Sequence, residues 1–470
     1  MKSIRNIKSI RNTIVGVSLV ASALWLASCE DFLDRQPTDS FVANPAIFDA
    51  KTARASVTGV YAQIKSLSFG GSSIHILGTM PGDNVTFSGS LTQYQQLDNN
   101  AYPTNNQVTV PVYRGLYSLI NRANWVISDI GKVNDPALND TERDVLLGEA
   151  YFGRAYGYFE LARGWGGVQI RLVPTNILSD IRGIKRSTQA ETYAQALADL
   201  TEAEKYLPYT DTDSKGNPVI VRNRARLSTV HALRARIHLY AGQWEEAESY
   251  ADKVIDKTDL YGLVKPFNSY FKSPYLSKES VFELSFSASD QNRVTGWYPH
   301  QFSGSFEYQP TPAIVAILND PALAGTRGSL IATSTDDKKE VYNAQLNRSG
   351  TDPSFIIRIA ELYLIRAEAR AKKAVPDLAG AIADLNAVRD RADVAAYAGA
   401  IDAPSVLQAI EDERRIEFAF EPHRWYDLVR NKRVNDVLNP PVDEHFWLFP
   451  LPEADVLADP DLDGQNNPGY

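Results

Sequence analysis

The sequence predicts a mostly α-helical chain with tetratricopeptide-type helix pairs on one flank and a loop-rich half carrying a few short strands. Three observations predict it. Apolar residues recur at helical spacing through a series of stretches between residues 113 and 392. Residues 228–256 read as two helices about a Gly-containing turn, with small residues where the helices cross most closely. Residues 66–110 and 262–357 instead mix Gly, Ser, Asn and Gln with scattered rings, and only short runs in them alternate like strands. A strict period of about 34 residues is missing, so a pure solenoid is excluded.

The elements follow in order. Lys2, Arg5, Lys8 and Arg11 precede an apolar run from Ile14 to Ala27, and Leu26-Ala27-Ser28-Cys29 closes it. That run has 14 residues where a spanning helix needs about 20, so residues 1–28 read as a cleaved export signal. Leu-Ala-Ser-Cys is similar to a bacterial lipobox. Cys29, the only cysteine, is then the expected lipidation site and the first residue of the mature chain. Pro45 marks the start of a helix carrying Ile47, Val57, Val60, Tyr61 and Ile64. Residues 66–110 read as a long irregular segment with Phe87, Tyr94 and Tyr102 interspersed, the texture of an ordered binding surface. Helices are expected over Tyr113 to Ile130, Val145 to Arg163 and Thr192 to Tyr206, the last stopped by Pro208. The pair in 228–256 turns at Ala241-Gly242-Gln243-Trp244, and a second pair runs Ile359 to Ala374 and Leu378 to Ala392. Val281 to Phe286 alternates like a strand, 292–312 reads as loop, and the Pro-rich tail from Pro440 to Tyr470 reads as an extended strap.

Charge narrows the function classes. The chain has 48 basic and 57 acidic residues; the signal removes four basic ones and no acid, leaving 44 against 57, a net of −13. That balance argues against nucleic acid and against broad electrostatic contact with a membrane. Without disulfides, an exported chain is held by core packing alone.

Candidate chemistry is sparse. Of the six histidines only His231 and His238 share a helix, seven apart, and no metal-ligand spacing appears. Asp211, Asp213 and Gly216 come closest to a calcium loop, but Arg222 stands where its closing glutamate belongs. No cofactor and no catalytic residue is expected. Glu413, Arg414, Arg415 and Glu417 read as an ion-pair network orienting a helix rather than as a general base and its neighbours, and Glu149, Arg154 and Glu160 read likewise. Gly164-Trp165-Gly166-Gly167 lacks the Lys-Ser/Thr of a phosphate loop and reads as a turn anchored by Trp165. Binding fits better. Sugars present flat apolar faces and many hydroxyls, so a site wants aromatic platforms edged by amides and charges. Two stretches offer both. Asp83, Asn84, Tyr94 and Gln96 are expected ligand contacts in the first, and Arg293, Trp297, Tyr298 and Tyr308 in the second, with Trp297 foremost.

Several segments, in order, resemble the RagB/SusD family of outer-membrane lipoproteins. They are Cys29-Glu30-Asp31-Phe32-Leu33-Asp34, Asn121-Arg122-Ala123-Asn124, and Glu149 to Tyr156 running on to Gly164-Trp165-Gly166-Gly167-Val168. They continue with Ile359 to Ala369, Glu413 to Glu421 with His423 to Arg430, Phe449-Pro450-Leu451-Pro452, and Gln465 to Tyr470. One departure is Pro422, where the family commonly has glycine. The resemblance implies a single SusD-like body over 29–470, with helix pairs in about 29–260 and a C-terminal part over about 261–470. It further implies a lipid-anchored, surface-exposed protein of the outer membrane. Such a protein captures oligosaccharides at loops from the two stretches named above and lids a TonB-dependent transporter. Peptide capture by a lid of the same architecture is the alternative, and a hydrolase or a purely structural scaffold is third.

Overall fold

In the computed structural model, which describes residues 47–66, 73–272, 277–296, 307–336, 339–344 and 349–470, helix α1 (Ala50–Lys65) starts on an Asp49 cap. The Asp49 carboxylate accepts from the Thr52 amide at 2.7 Å, satisfying one of the helix's orphan donors. Helix α2 (Ser73–Thr79), strand β1 (Val85–Phe87) and helix α3 (Thr92–Asp98) follow. The stretch expected to be irregular throughout therefore contains two short helices, which its polar composition conceals. Helices α4 (Thr109–Asp129) and α5 (Asp140–Trp165) form the centre of this half, and α6 (Gln189–Tyr206) packs along α5. From Phe152 to Trp165 every residue of α5 is buried, because α1, α4 and α6 cover its successive faces. Helix α5 ends at Gly166, whose φ of 79° is left-handed and open to glycine at little cost. Trp165 just before it is fully buried, its ring 5.6 Å from Tyr113 and 5.3 Å from Phe449.

The hairpin of β2 (Asp211–Thr212) and β3 (Pro218–Val219) leads to the first expected helix pair, α7 (Leu227–Tyr240) and α8 (Trp244–Ile255). After α9 (Ser269–Lys272) comes β4 (Ser280–Leu284), then β5 (Tyr308–Pro310) and α10 (Pro312–Asn319). Strands β6 (Ile331–Asp336) and β7 (Lys339–Ala344) form a hairpin, and β8 (Ser354–Arg358) pairs antiparallel with β4. All five residues of β4 are buried, so this strand is covered on both faces and not on one, as its alternation suggested. The second expected pair is α11 (Ile359–Lys372) and α12 (Leu378–Arg391). It stacks on the first pair through α8 and α11, where Arg366 meets Asp252 at 2.6 Å and Arg370 meets Glu248 at 2.8 Å. Helices α13 (Ala403–Glu417), α14 (Arg424–Arg430), α15 (Val434–Val437) and α16 (Glu453–Ala458) complete the chain.

The tail is not wholly extended, since α16 lies in it. It packs back onto the N-terminal half: the Phe449 amide donates to the Gly164 carbonyl at 2.8 Å, and Arg114 pairs with Asp455 at 2.6 Å. Residues 47–470 make one compact unit. Among the described residues no helix is long and apolar enough to cross a membrane.

Candidate functional site

Strands β1 and β5 bring together the two stretches expected to bind ligand. They pair antiparallel with Val85 opposite Pro310, Thr86 opposite Gln309 and Phe87 opposite Tyr308. The ladder continues past the strands, where the Ser88 amide donates to the Glu307 carbonyl at 2.8 Å. The inner end of the pair is rooted in the body. The Thr311 amide and hydroxyl donate to the carbonyls of Asn84 (3.0 Å) and Asp83 (2.8 Å), and the Thr311 hydroxyl also caps α10. Helix α3 is fastened above β1 by Asp98, which accepts from the Thr86 hydroxyl at 3.0 Å and the Phe87 amide at 3.2 Å. Burial raises the Asp98 carboxyl against the pull of those two bonds.

On this frame the ring of Tyr94 tilts at 48° over Phe87, with centroids 5.3 Å apart. Tyr94 is half-buried, and its phenol is raised first by that burial and then by the nearby charge of Glu307. Gln95 is exposed and donates to the Gly89 carbonyl at 3.0 Å. An aromatic ring, a carboxylate and the Gln95 side-chain amide therefore gather about β1 and α3. That combination can stack on a sugar ring and hydrogen-bond its edge hydroxyls. Glu307 was missed by sequence reasoning, because only the β1–β5 pairing brings it to Tyr94.

The other expected contacts fall differently. Asp83 pairs with Arg424 at 2.6 Å and Arg415 at 2.8 Å, which makes it a clamp between β1 and the C-terminal helices. Asn84 is buried; its amide donates to the carbonyls of Arg415 (3.2 Å) and Ala419 (3.3 Å), and its oxygen accepts from Arg415 at 3.0 Å. Gln96 accepts from Asn106 at 2.9 Å. Tyr308 is buried, with its hydroxyl on that of Thr79 and its ring 6.5 Å from His75. Asn84 and Tyr308 are buried on protein partners and Asp83 is held by two arginines, positions that serve the fold, whereas Gln96 is half-buried and engages Asn106 through its oxygen. Arg293 is exposed, next to Asn292, whose amide donates to the Asp352 carbonyl at 3.0 Å and the Ser354 hydroxyl at 3.1 Å. Cys29, Trp297 and Tyr298 lie outside the described residues.

The signature charges form buried ion-pair networks. Glu417 is fully buried between Arg391 (2.5 Å), Arg358 (2.8 Å) and Arg327 (3.4 Å), and Arg414 pairs with Asp427 at 2.8 Å. Glu149 is shared by Arg224 and Arg226, Arg154 pairs with Asp199 at 2.7 Å, and Arg163 pairs with Glu160 at 2.6 Å. In the stretch that comes closest to a calcium loop, Asp213 accepts from the amides of Lys215 and Asn217 at 2.8 Å, an ordinary polar turn. Among the described residues no group of three metal-ligating side chains gathers.

Comparison with known proteins agrees with this architecture. Residues 31–239 match a family model described as starch-binding, associating with the outer membrane, and residues 323–445 match the model of the SusD family. A SusD-like protein of Formosa agariphila is 25% identical over 97% of this chain and 99% of its own. A solved SusD superfamily protein of Bacteroides vulgatus superposes with a TM-score of 0.78 at 21% identity, covering 90% of this chain and all of its own. A solved laminarin-binding SusD-like protein gives 0.76 at 21% identity, with the same coverage. The two family models lie in chain order, the first containing β1 and the second beginning after β5, and a curated SusD-like relative matches by sequence over nearly the whole chain; the chain belongs to the SusD/RagB family.

Proposed function

We propose that this protein is a surface-exposed lipoprotein of the outer membrane that captures oligosaccharides and delivers them to a partner TonB-dependent transporter. The observation that carries the reading is the β1–β5 pairing, which joins two ring- and amide-rich segments into one face around Tyr94. The starch-binding description of the matching family model and the laminarin-binding name of one solved neighbour support a glycan ligand. Lipid on Cys29 would tether the body by its first mature residue, and more than one acyl chain is needed for stable anchoring. Trp297, Tyr298 and Arg293 belong to the same segment as β5 and are assigned here as further ligand contacts. The pairing of Glu149, Glu417 and Asp427 with buried arginines supports a binding role over hydrolysis at these carboxylates.

The test is calorimetry on a soluble chain starting after Cys29, against laminarin and starch oligosaccharides and a peptide panel. One glycan class is expected to bind without product release over hours. Tyr94→Ala and Trp297→Ala are each expected to weaken it about tenfold, the loss of one stacking platform worth about 1.4 kcal/mol, with little change in melting temperature. Binding to peptides alone would overturn the glycan reading.

A further inference from the structure

A cavity of about 320 Å³ opens between α4 and the segment 171–175, apart from β1, α3 and β5. That volume is at the lower end of the range of about 300–1,000 Å³ seen for small-ligand sites. Its lining has no acidic residue, although the chain carries a formal charge of −9. Arg114, Tyr117, Ser118, Arg171 and Thr175 supply the functional groups.

Arg171 is the unusual member. It is half-buried; of the fully buried arginines among the described residues most meet a carboxylate, as Arg154, Arg163, Arg236 and Arg358 do, while Arg222 meets carbonyls. Arg171 has no carboxylate within 4.0 Å among the described residues. Its guanidinium lies 4.4 Å from the centroid of the Tyr117 ring and bonds only the side-chain oxygen of Gln169, and its Nε is buried without a partner. The cation is also rigidly placed. The Arg171 amide donates to the Tyr158 hydroxyl at 2.6 Å, and the Arg171 carbonyl accepts from Tyr158 at 2.7 Å and from Asn124 at 3.0 Å. Asn121 rivets the other end of the segment, accepting from the Thr175 amide at 2.7 Å and donating to its carbonyl at 3.1 Å. Stacking on Tyr117 fixes the side chain as well, so a ligand would bind without the usual ordering cost. Arg114 at the rim is already committed to Asp455, which leaves Arg171 as the lining cation without a counter-charge among the described residues.

We propose that this cavity is a second binding site, for a single sugar unit bearing an anionic group, either a carboxylate or a sulfate ester, with Arg171 as its counter-charge. A planar guanidinium suits either oxyanion, and the absence of acidic lining spares the ligand repulsion. Ser118, whose hydroxyl reaches Gln63 by only a long bond of 3.5 Å, and Thr175 line the wall and offer hydroxyls to a sugar.

The test is calorimetric titration of the chain starting after Cys29 with D-glucuronate, D-glucose 6-sulfate, D-glucose, acetate and inorganic sulfate, at low and high salt. One or both anionic sugars are expected to bind at least tenfold tighter than glucose and than the matching simple anion, and more weakly as salt rises. Which of the two binds identifies the anionic group. Arg171→Gln should abolish the preference over glucose at an unchanged melting temperature. Ser118→Ala, which leaves every rivet of the segment in place, should weaken the anionic sugars severalfold. Equal binding of glucose, simple anions binding as tightly as the sugars, or unchanged affinity in both variants would each overturn the site.

Discussion

Glu417 illustrates how single residues are decided by distant neighbours. Burial works to raise its carboxyl, but the charges of Arg391, Arg358 and Arg327 outweigh it and bring it down to about 2. Glu279 and Glu421 share Arg358 with it, and there burial prevails and raises both. Glu417→Gln leaves three buried guanidinium groups short of charge, so a loss of about 3–5 kcal/mol is expected in urea unfolding, with oligosaccharide affinity of the folded fraction unchanged. The sequence marked Glu417 as an ion-pair residue but showed only its helix neighbours; Arg358 and Arg391 arrive from other elements. Gly78 is a second case. A Cβ there would stand 2.6 Å from the Cα and Cβ of Pro422, where backbone cannot move aside. The departure at Pro422 thus packs directly on α2, and Gly78→Ala should destabilise by about 1–3 kcal/mol, read as a lowered melting temperature.

At the scale of elements, long helices were legible and short ones were not. Helix α4 begins four residues before the expected Tyr113 and α5 five before the expected Val145. The capping chemistry explains the second: the Asn139 side chain accepts from the Glu142 amide at 2.9 Å and sets the start at Asp140. Helices α2, α3 and α16 have six or seven residues, too few for a periodic pattern to emerge from polar sequence. Helix α3 matters for function because Asp98 ties it to β1. Asp98→Ala removes both bonds and frees the ring of Tyr94 from its register over Phe87. A stability loss of about 1–2 kcal/mol is expected, with a severalfold weaker glycan affinity measured by calorimetry. An affinity drop no larger than that of a destabilised control remote from this face would show that α3 does not position the site.

For the whole molecule, burial of histidines sets the response to mild acid. His75 is brought down to about 4 by burial, and His423 is brought well below its ordinary value by the same cause. His231 and His238 are also lowered, again by burial, against opposing bonds to Glu204 and Gln243. Each therefore binds its proton more readily in the unfolded chain. Stability is full above about pH 6.5, the unfolded histidine value, and falls as pH drops toward the folded values. The urea midpoint, followed by tryptophan fluorescence, is expected to decline steadily from pH 7 to 5. A rising midpoint would mean that Glu279 and Glu421, whose raised carboxyls act in the opposite direction, dominate instead.

The sequence by itself determined the helical class, the two helix pairs, the anchoring turn at Trp165, the ion-pairing character of the signature charges and the family. All of these are local patterns, or motifs whose order along the chain is itself the signal. Tertiary structure alone decided which polar residues of the two binding stretches face outward. Asn84 and Tyr308 look on paper like Tyr94, yet β1 pairs with β5, α13 closes on Asn84 and α2 on Tyr308, so both are consumed by the core while Tyr94 remains half-exposed beside Glu307. The cavity at Arg171 was likewise invisible, because only the folded chain shows that no carboxylate of the described residues reaches this guanidinium.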